Sequence, residues 1–140
     1  MTQPRLRQWL GRLDAHCHGE AAHGERVAVY AVATAHRLGW NADQLFRMRF
    51  AAALHDVGKL SISSELLAKH DTPSGAEVLE LRKHAASGAD LLMDEFDLEG
   101  CEWIAAHHER WDGFGYPFGL FGSDIPFGSR IIAVAETFDV

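Results

Sequence analysis

Apolar positions along the chain recur every three or four residues, the period of helices that bury one face. Leu6, Trp9, Leu10 and Leu13 predict an amphipathic helix from Leu6 to about Cys17. A second helix, from about Glu20 to Leu38, turns His23, Val27, Tyr30, Ala31, Thr34 and Leu38 inward, and Gly39 caps its C-terminus. The third starts after Asn41, a residue suited to N-capping, and carries Leu45, Met48, Ala52 and His55 on one face until Gly58 breaks it. A short helix around Ser64 to Lys69 and a polar turn from Asp71 to Gly75 lead into a fourth long helix. Its inner face reads Leu81, His84, Gly88 and Leu91, opposite Arg82 and Lys83. Trp103 and Ile104 each stand four residues before a histidine, so a further short helix should deliver His107 and His108 at its buried end. Gly113, Gly115 and Pro117 then end helical structure. The run to Pro126 is an aromatic-rich loop, too long for a mere connection and too apolar for disorder. A last helix, about Phe127 to Val140, aligns Ile132, Ala135, Glu136 and Asp139. No alternating β-branched run reaches strand length, so the expected class is all-α.

At 140 residues, with no repeat, linker or low-complexity tract, the chain fits one domain: a lead helix over 1–19 and the domain proper over 20–140. The net charge of -7, with no basic cluster, disfavours duplex nucleic acid and anionic membrane as partners. No apolar run has the length of a membrane span, and Met1 to Leu13 lacks the apolar segment of a secretory signal, so the cytoplasm is the expected compartment. Cys17 and Cys101 lie outside any CxxC spacing and read as buried thiols.

Nine histidines are an excess for this length, and their position on inward faces decides which matter. His16, Cys17 and His18 fan out by roughly 100° per residue and cannot converge on one ion. His16 and His18 read as solvent-facing, as does His36, and His70 lies in a turn with no ligand pattern. His55-Asp56 ends a very apolar helix, where an ionisable pair is costly to bury unless a divalent cation compensates both groups. The competing reading is an aspartate that caps a neighbouring helix beside a passive histidine. His107-His108 leads straight into the aromatic loop, which reads as a metal site with a substrate lip attached. Trp111, Phe114, Tyr116 and Phe118 suit the stacking of bases, or equally the sealing of the loop onto the core. A lone His23 on an apolar face would ordinarily be a hydrogen-bonded core residue.

The run His107 to Pro117, HHERWDGFGYP, resembles the signature of the HD-GYP subfamily of HD-superfamily metal-dependent phosphohydrolases. HDVGKL (His55 to Leu60) resembles the HD motif, HGERVAVYA (His23 to Ala31) the family's opening helix, and IIAVAETFD (Ile131 to Asp139) a late family helix. The likeness runs from about His23 to the C-terminus and implies an HD-type helical bundle. It makes His23, His84 and Glu136 metal ligands beside His55, Asp56, His107 and His108, with Glu136 standing where the family has aspartate. Seven ligands fit two ions better than one, and a nitrogen and oxygen set suits iron or manganese, with zinc or nickel as alternatives. Asp56 is the candidate bridging ligand, and Lys59 faces the scissile phosphate. Trp111, Asp112, Gly113, Gly115, Tyr116 and Pro117 form the substrate loop.

The implied reaction is hydrolysis of cyclic di-GMP to linear pGpG and, in some members, onward to GMP. The alternative is an impaired module that binds nucleotide or docks on a partner such as a diguanylate cyclase. A mononucleotide phosphohydrolase is disfavoured by the GYP run. Gly19 stands where members with a third metal carry glutamate, so a binuclear centre is expected. Relative to the family the sequence lacks C-terminal helices and an arginine- and lysine-bearing segment. An apolar strip on the last helix would then be free for homodimerisation. Asp139 reads either as a terminal acid or as a group close to the site.

Overall fold

Side-chain caps start four of the helices. Asn41 accepts from the Gln44 backbone while the Gln44 side chain accepts from Asn41 N–H, and Ser74 and Glu77 repeat this reciprocal cap. In the computed structural model, which describes residues 1–139, α1 spans Gln3–His16, α2 Glu20–Arg37 and α3 Ala42–Ala53. A 3₁₀ turn, Val57–Ser61, precedes α4 (Ser64–Leu67), α5 (Gly75–Arg82), α6 (His84–Leu92) and α7 (Leu98–Ala105). A second 3₁₀ turn at Gly122–Asp124 leads to α8, Phe127–Asp139. Val140, the expected last residue of that helix, lies outside the described residues. The described residues form no strand, and none of their helices is long and apolar enough to cross a membrane.

Helix α2 packs between α3 and α8, while the first 3₁₀ turn packs on α6, and α6 on α7. The shared core centres on Val27, Ala31, Met48, Phe50, Leu54, Val57, Leu92, Ile104 and Ile132. On α1 the expected Leu6, Trp9, Leu10 and Leu13 are all buried.

Several expectations need correction. Thr34 is exposed and Leu38 is 53% exposed; the buried stripe of α2 is Gly24, Val27, Ala28, Ala31 and Ala35. Close approach to α3 selects small residues, which an apolar pattern weighted toward bulk does not pick out. A β-carbon at Gly24 would collide with the Ala53 carbonyl oxygen. Helix α3 ends at Ala53, before His55, and Gly58 is not its breaker. Gly58 instead lets the 3₁₀ turn lie flush on α6: a β-carbon there would overlap the His84 carbonyl oxygen and stand 2.6 Å from Gly88 N. The expected fourth long helix is two helices interrupted at Lys83, and none of α5 is buried. The helix at Ser64 is one turn long. His16 is half-buried, its Nε2 2.7 Å from the Ile62 carbonyl. Cys101 is buried as expected, but Cys17 is half-buried.

Gly58→Ala is expected to destabilise the fold by about 1–3 kcal/mol through this overlap. A lowered denaturant midpoint at unchanged slope checks it.

Candidate metal centre

Three of the histidines are aimed in one way. His55, His84 and His107 each place Nδ1 against the carbonyl three residues earlier, at 2.8 Å (Ala52), 2.7 Å (Leu81) and 2.6 Å (Ile104). A helix-end carbonyl accepts the Nδ1 proton, so the Nε2 lone pair is left to point inward. His55 and His107 lie past the last turns of α3 and α7, where such carbonyls have no helical partner. The two Nε2 atoms of His55 and His107 are buried and have no hydrogen-bond partner among the described residues. His55 Nε2 does stand 3.3 Å from Asp56 Oδ2, but out of line for a hydrogen bond.

The remaining groups close around them. Asp56, almost wholly buried, sets Oδ1 3.3 Å from His84 Nε2 and Oδ2 2.8 Å from Lys59 Nζ. Lys59 Nζ also donates to Glu20 Oε1 at 2.9 Å. His108 Nε2 lies 3.1 Å from His84 Nε2. His23 comes from α2, with Nδ1 2.7 Å from Asp139 Oδ2, and Arg26 donates to both oxygens of that carboxylate at 2.7 and 2.9 Å. Asp139 is therefore neither a frayed acid nor in the ligand groups described next; it orients His23.

Donor atoms of Asp56, His84, His107 and His108 lie within 4.8 Å of one another, as do those of His23, His55 and Asp56, and those of His55, His107 and Glu136. All seven expected ligands are thus brought together. The first two groups share Asp56 alone.

Charge in the cluster is divided. Burial, reinforced by neighbouring imidazoles, holds His107 well below the usual range and His108 at about 4, and burial also lowers His84. These three are neutral bases, the form that binds cations. For His55, burial pushes down, but the Asp56 charge outweighs it and the imidazole rises to about 9, so cation binding at its Nε2 would displace a proton. Burial also opposes the Asp56 charge, which the neighbouring His55 and Lys59 nevertheless hold well below the usual carboxylate range. Burial raises the Glu136 carboxyl. Orphaned inward nitrogens, neutral imidazoles and two carboxylates fit divalent cations, which would satisfy both the lone pairs and the negative charge.

The loop beside this cluster is built on Glu109, which the sequence reading passed over. Glu109 is buried, and its carboxylate accepts from Phe118 N at 2.7 Å, Gly119 N at 3.1 Å and Leu120 N at 2.9 Å. A glutamate between two motif residues gives no sequence signal for this role, because its partners lie nine to eleven residues on. Tyr116 is folded inward, stacked on His108 with centroids 4.8 Å apart. A cleft of about 370 Å³, lined by Arg82, His107, His108, Gly115, Tyr116 and Glu136 among others, opens here. Of the other expected loop residues, Trp111 is 61% exposed, Asp112 pairs with Arg110, and Gly113 takes a positive φ; with Pro117, they lie outside the cleft lining. Phe114 and Phe118 are exposed. A larger apolar groove of about 990 Å³ between α2 and α3 contains none of the seven ligands.

Glu109→Gln is expected to keep the fold but loosen the loop, since an amide has one acceptor oxygen for three N–H donors. Faster hydrogen exchange at Phe118 to Leu120 would show it.

The HD domain family model matches residues 11–140. A 3'3'-cGAMP-specific phosphodiesterase (phosphodiesterase 2) of Vibrio cholerae is 36% identical over 130 residues, covering 91% of this chain and 25% of its own. The cyclic di-GMP phosphodiesterase response regulator RpfG of Xanthomonas campestris is 35% identical over 145 residues, with 99% of this chain and 38% of its own covered. Among solved structures, Bd1817, a HDG"Y"P protein from Bdellovibrio bacteriovorus, superposes with a TM-score of 0.72 at 27% identity, over 86% of this chain and 40% of its own. The chain spans a quarter to two fifths of these proteins' lengths. With its motifs on one helical scaffold and these relatives beside it, the chain belongs to the HD domain family, in its HD-GYP branch.

Proposed function

We propose that this domain is a metal-dependent phosphodiesterase acting on a cyclic dinucleotide, with cyclic di-GMP as substrate, linear pGpG as product and GMP as a further product. The observation that carries the reading is the meeting of seven nitrogen and oxygen ligands in three overlapping groups, next to Lys59 and the Tyr116 cleft. His23, His55 and Asp56 would hold one divalent ion, and Asp56, His84, His107 and His108 a second, with Glu136 beside both. Iron or manganese suits the ligand set best, with zinc or nickel as alternatives. Such a pair of ions supplies water activation and stabilisation of the charge that develops in an in-line displacement at phosphorus.

The chain's own residues supply the rest. Lys59 carries a fixed positive charge beside Asp56, where it can neutralise a non-bridging oxygen of the scissile phosphate. Glu20 holds the ammonium from the other side, so its position does not depend on Asp56 alone. Tyr116, backed by His108, is a ring surface for a base at the place where the Arg82 guanidinium now lies, and the exposed Trp111 offers another further out on the loop.

The test is turnover of cyclic di-GMP, with 3'3'-cGAMP in parallel, by manganese- or iron-loaded protein, read by chromatography of the products. Binding without hydrolysis under every metal loading would sink the enzymatic reading and leave a nucleotide-binding module able to dock on a signalling partner.

Metal binding should also stabilise the fold, because ions bind the assembled site and not the unfolded chain. At a hundredfold excess over Kd each ion contributes about 2.7 kcal/mol, so chelation is expected to lower Tm by roughly 10 °C for each ion removed. An unchanged melting curve after confirmed metal loss would refute the coupling.

A further inference from the structure

We infer that Arg82 grips the second phosphate of the substrate, the one that is not cut; this rests on the cyclic dinucleotide reading above. A cyclic dinucleotide carries two phosphodiesters. When one is seated beside Asp56 and Lys59, the other remains as an anion that must find a cation nearby. Arg82 lines the same cleft as His107, His108 and Glu136, at the end of α5 just before the histidine that opens α6. Its guanidinium carbon lies over the Tyr116 ring, 4.9 Å from the centroid, and Tyr116 in turn stacks on His108. The chain of contacts Arg82, Tyr116, His108 leads from the ligand cluster to the mouth of the cleft.

The other cation that lines the cleft and the lysine of the ligand cluster are already paired with carboxylates. Arg110 lines the cleft too but is held by Asp112, and Lys59 is held by Asp56 and Glu20. Among the described residues Arg82 has no carboxylate partner and is placed by the ring alone. A guanidinium held over an aromatic ring keeps its N–H donors free, and their planar fork matches two phosphate oxygens. Lys83, next in sequence, is paired with Glu80 on the outer surface and does not substitute for it.

The experiment compares wild type, Arg82→Ala and Arg82→Lys on four substrates with manganese-loaded protein. Cyclic di-GMP has two phosphodiesters, pGpG a phosphodiester and a terminal phosphate, GpG the same two bases with one phosphate, and bis(p-nitrophenyl) phosphate one phosphodiester without a base. Arg82→Ala should raise KM for cyclic di-GMP and pGpG by roughly tenfold to a hundredfold, the loss of a charged hydrogen-bonded pair. kcat should change little, and both parameters should stay near wild type for GpG and bis(p-nitrophenyl) phosphate. Arg82→Lys should lie between, since it keeps the charge and loses the fork.

An equal rise in KM for GpG would mean that Arg82 reads guanine or only props the Tyr116 platform, and would overturn the inference. A parallel loss on all four substrates would mean that it only supports the His108 side of the centre through Tyr116, which overturns it too. Calorimetric binding of cyclic di-GMP and GpG gives a readout independent of turnover. If wild type hydrolyses nothing, the enzymatic reading fails, and a binding loss confined to cyclic di-GMP still supports the phosphate grip. If it cleaves only bis(p-nitrophenyl) phosphate and binds no dinucleotide, the substrate reading and this inference fall together.

Discussion

Asp56→Ala should strip the protein of most of its metal, from about two ions per chain to well under one, and abolish turnover with it. Asp56 is the only side chain common to the groups formed with His84, His107 and His108 and with His23 and His55. Removing it takes a ligand from both positions and leaves Lys59 with Glu20 alone. His55→Ala should act similarly, because its inward nitrogen joins the His23 group to the group around Glu136. Elemental analysis of anaerobically prepared protein reads the outcome directly, and Asp56→Asn controls for packing. Asp139→Asn gives the graded comparison. It leaves every ligand in place and weakens the orientation of His23 together with the exposed Arg26 pair, so a loss of about 10–100-fold in metal affinity is expected. Tightly bound metal persisting in both Asp56 variants would contradict the assignment.

Lys59→Ala should lower kcat by about a hundredfold to a thousandfold while KM moves little, the pattern for a charge most useful where negative charge develops. Burial opposes the Lys59 charge, but Asp56 and Glu20 outweigh it and push the pKa up, so the ammonium stays charged across the neutral range. Tyr116→Ala should behave in the opposite way and weaken binding by about 1–3 kcal/mol with a smaller effect on the saturated rate. Tyr116→Phe keeps the ring on His108 and separates stacking from the hydroxyl, whose pKa burial pushes up to about 12. Trp111→Ala tests the outer platform in the same assay. If the lysine variant loses binding and the tyrosine variant loses only rate, the two roles have been assigned the wrong way round.

The all-helical class, the Asn41 cap, the buried face of α1 and the motif pairs His55-Asp56 and His107-His108 were legible from sequence, because each depends on neighbours within about one helical turn. The family likeness added His23, His84 and Glu136, which no local pattern distinguishes from ordinary core histidines and a helix-face acid. What the sequence could not determine are the relations between distant residues. Asp139 meets His23 across 116 positions, Lys59 meets Glu20 across 39, and the bare faces of Gly24 and Gly58 have meaning only against Ala53 and His84. The buried stripe of α2 was misjudged for the same reason: the face that turns inward is chosen by how closely α3 and α8 approach, and close approach favours alanine and glycine over the bulkier residues that mark a hydrophobic period. Local propensity and periodicity therefore determined which elements form and which carry ionisable pairs. Only tertiary packing decided that seven side chains from separate elements converge, because that depends on the distances between helices and not on the order of residues within them.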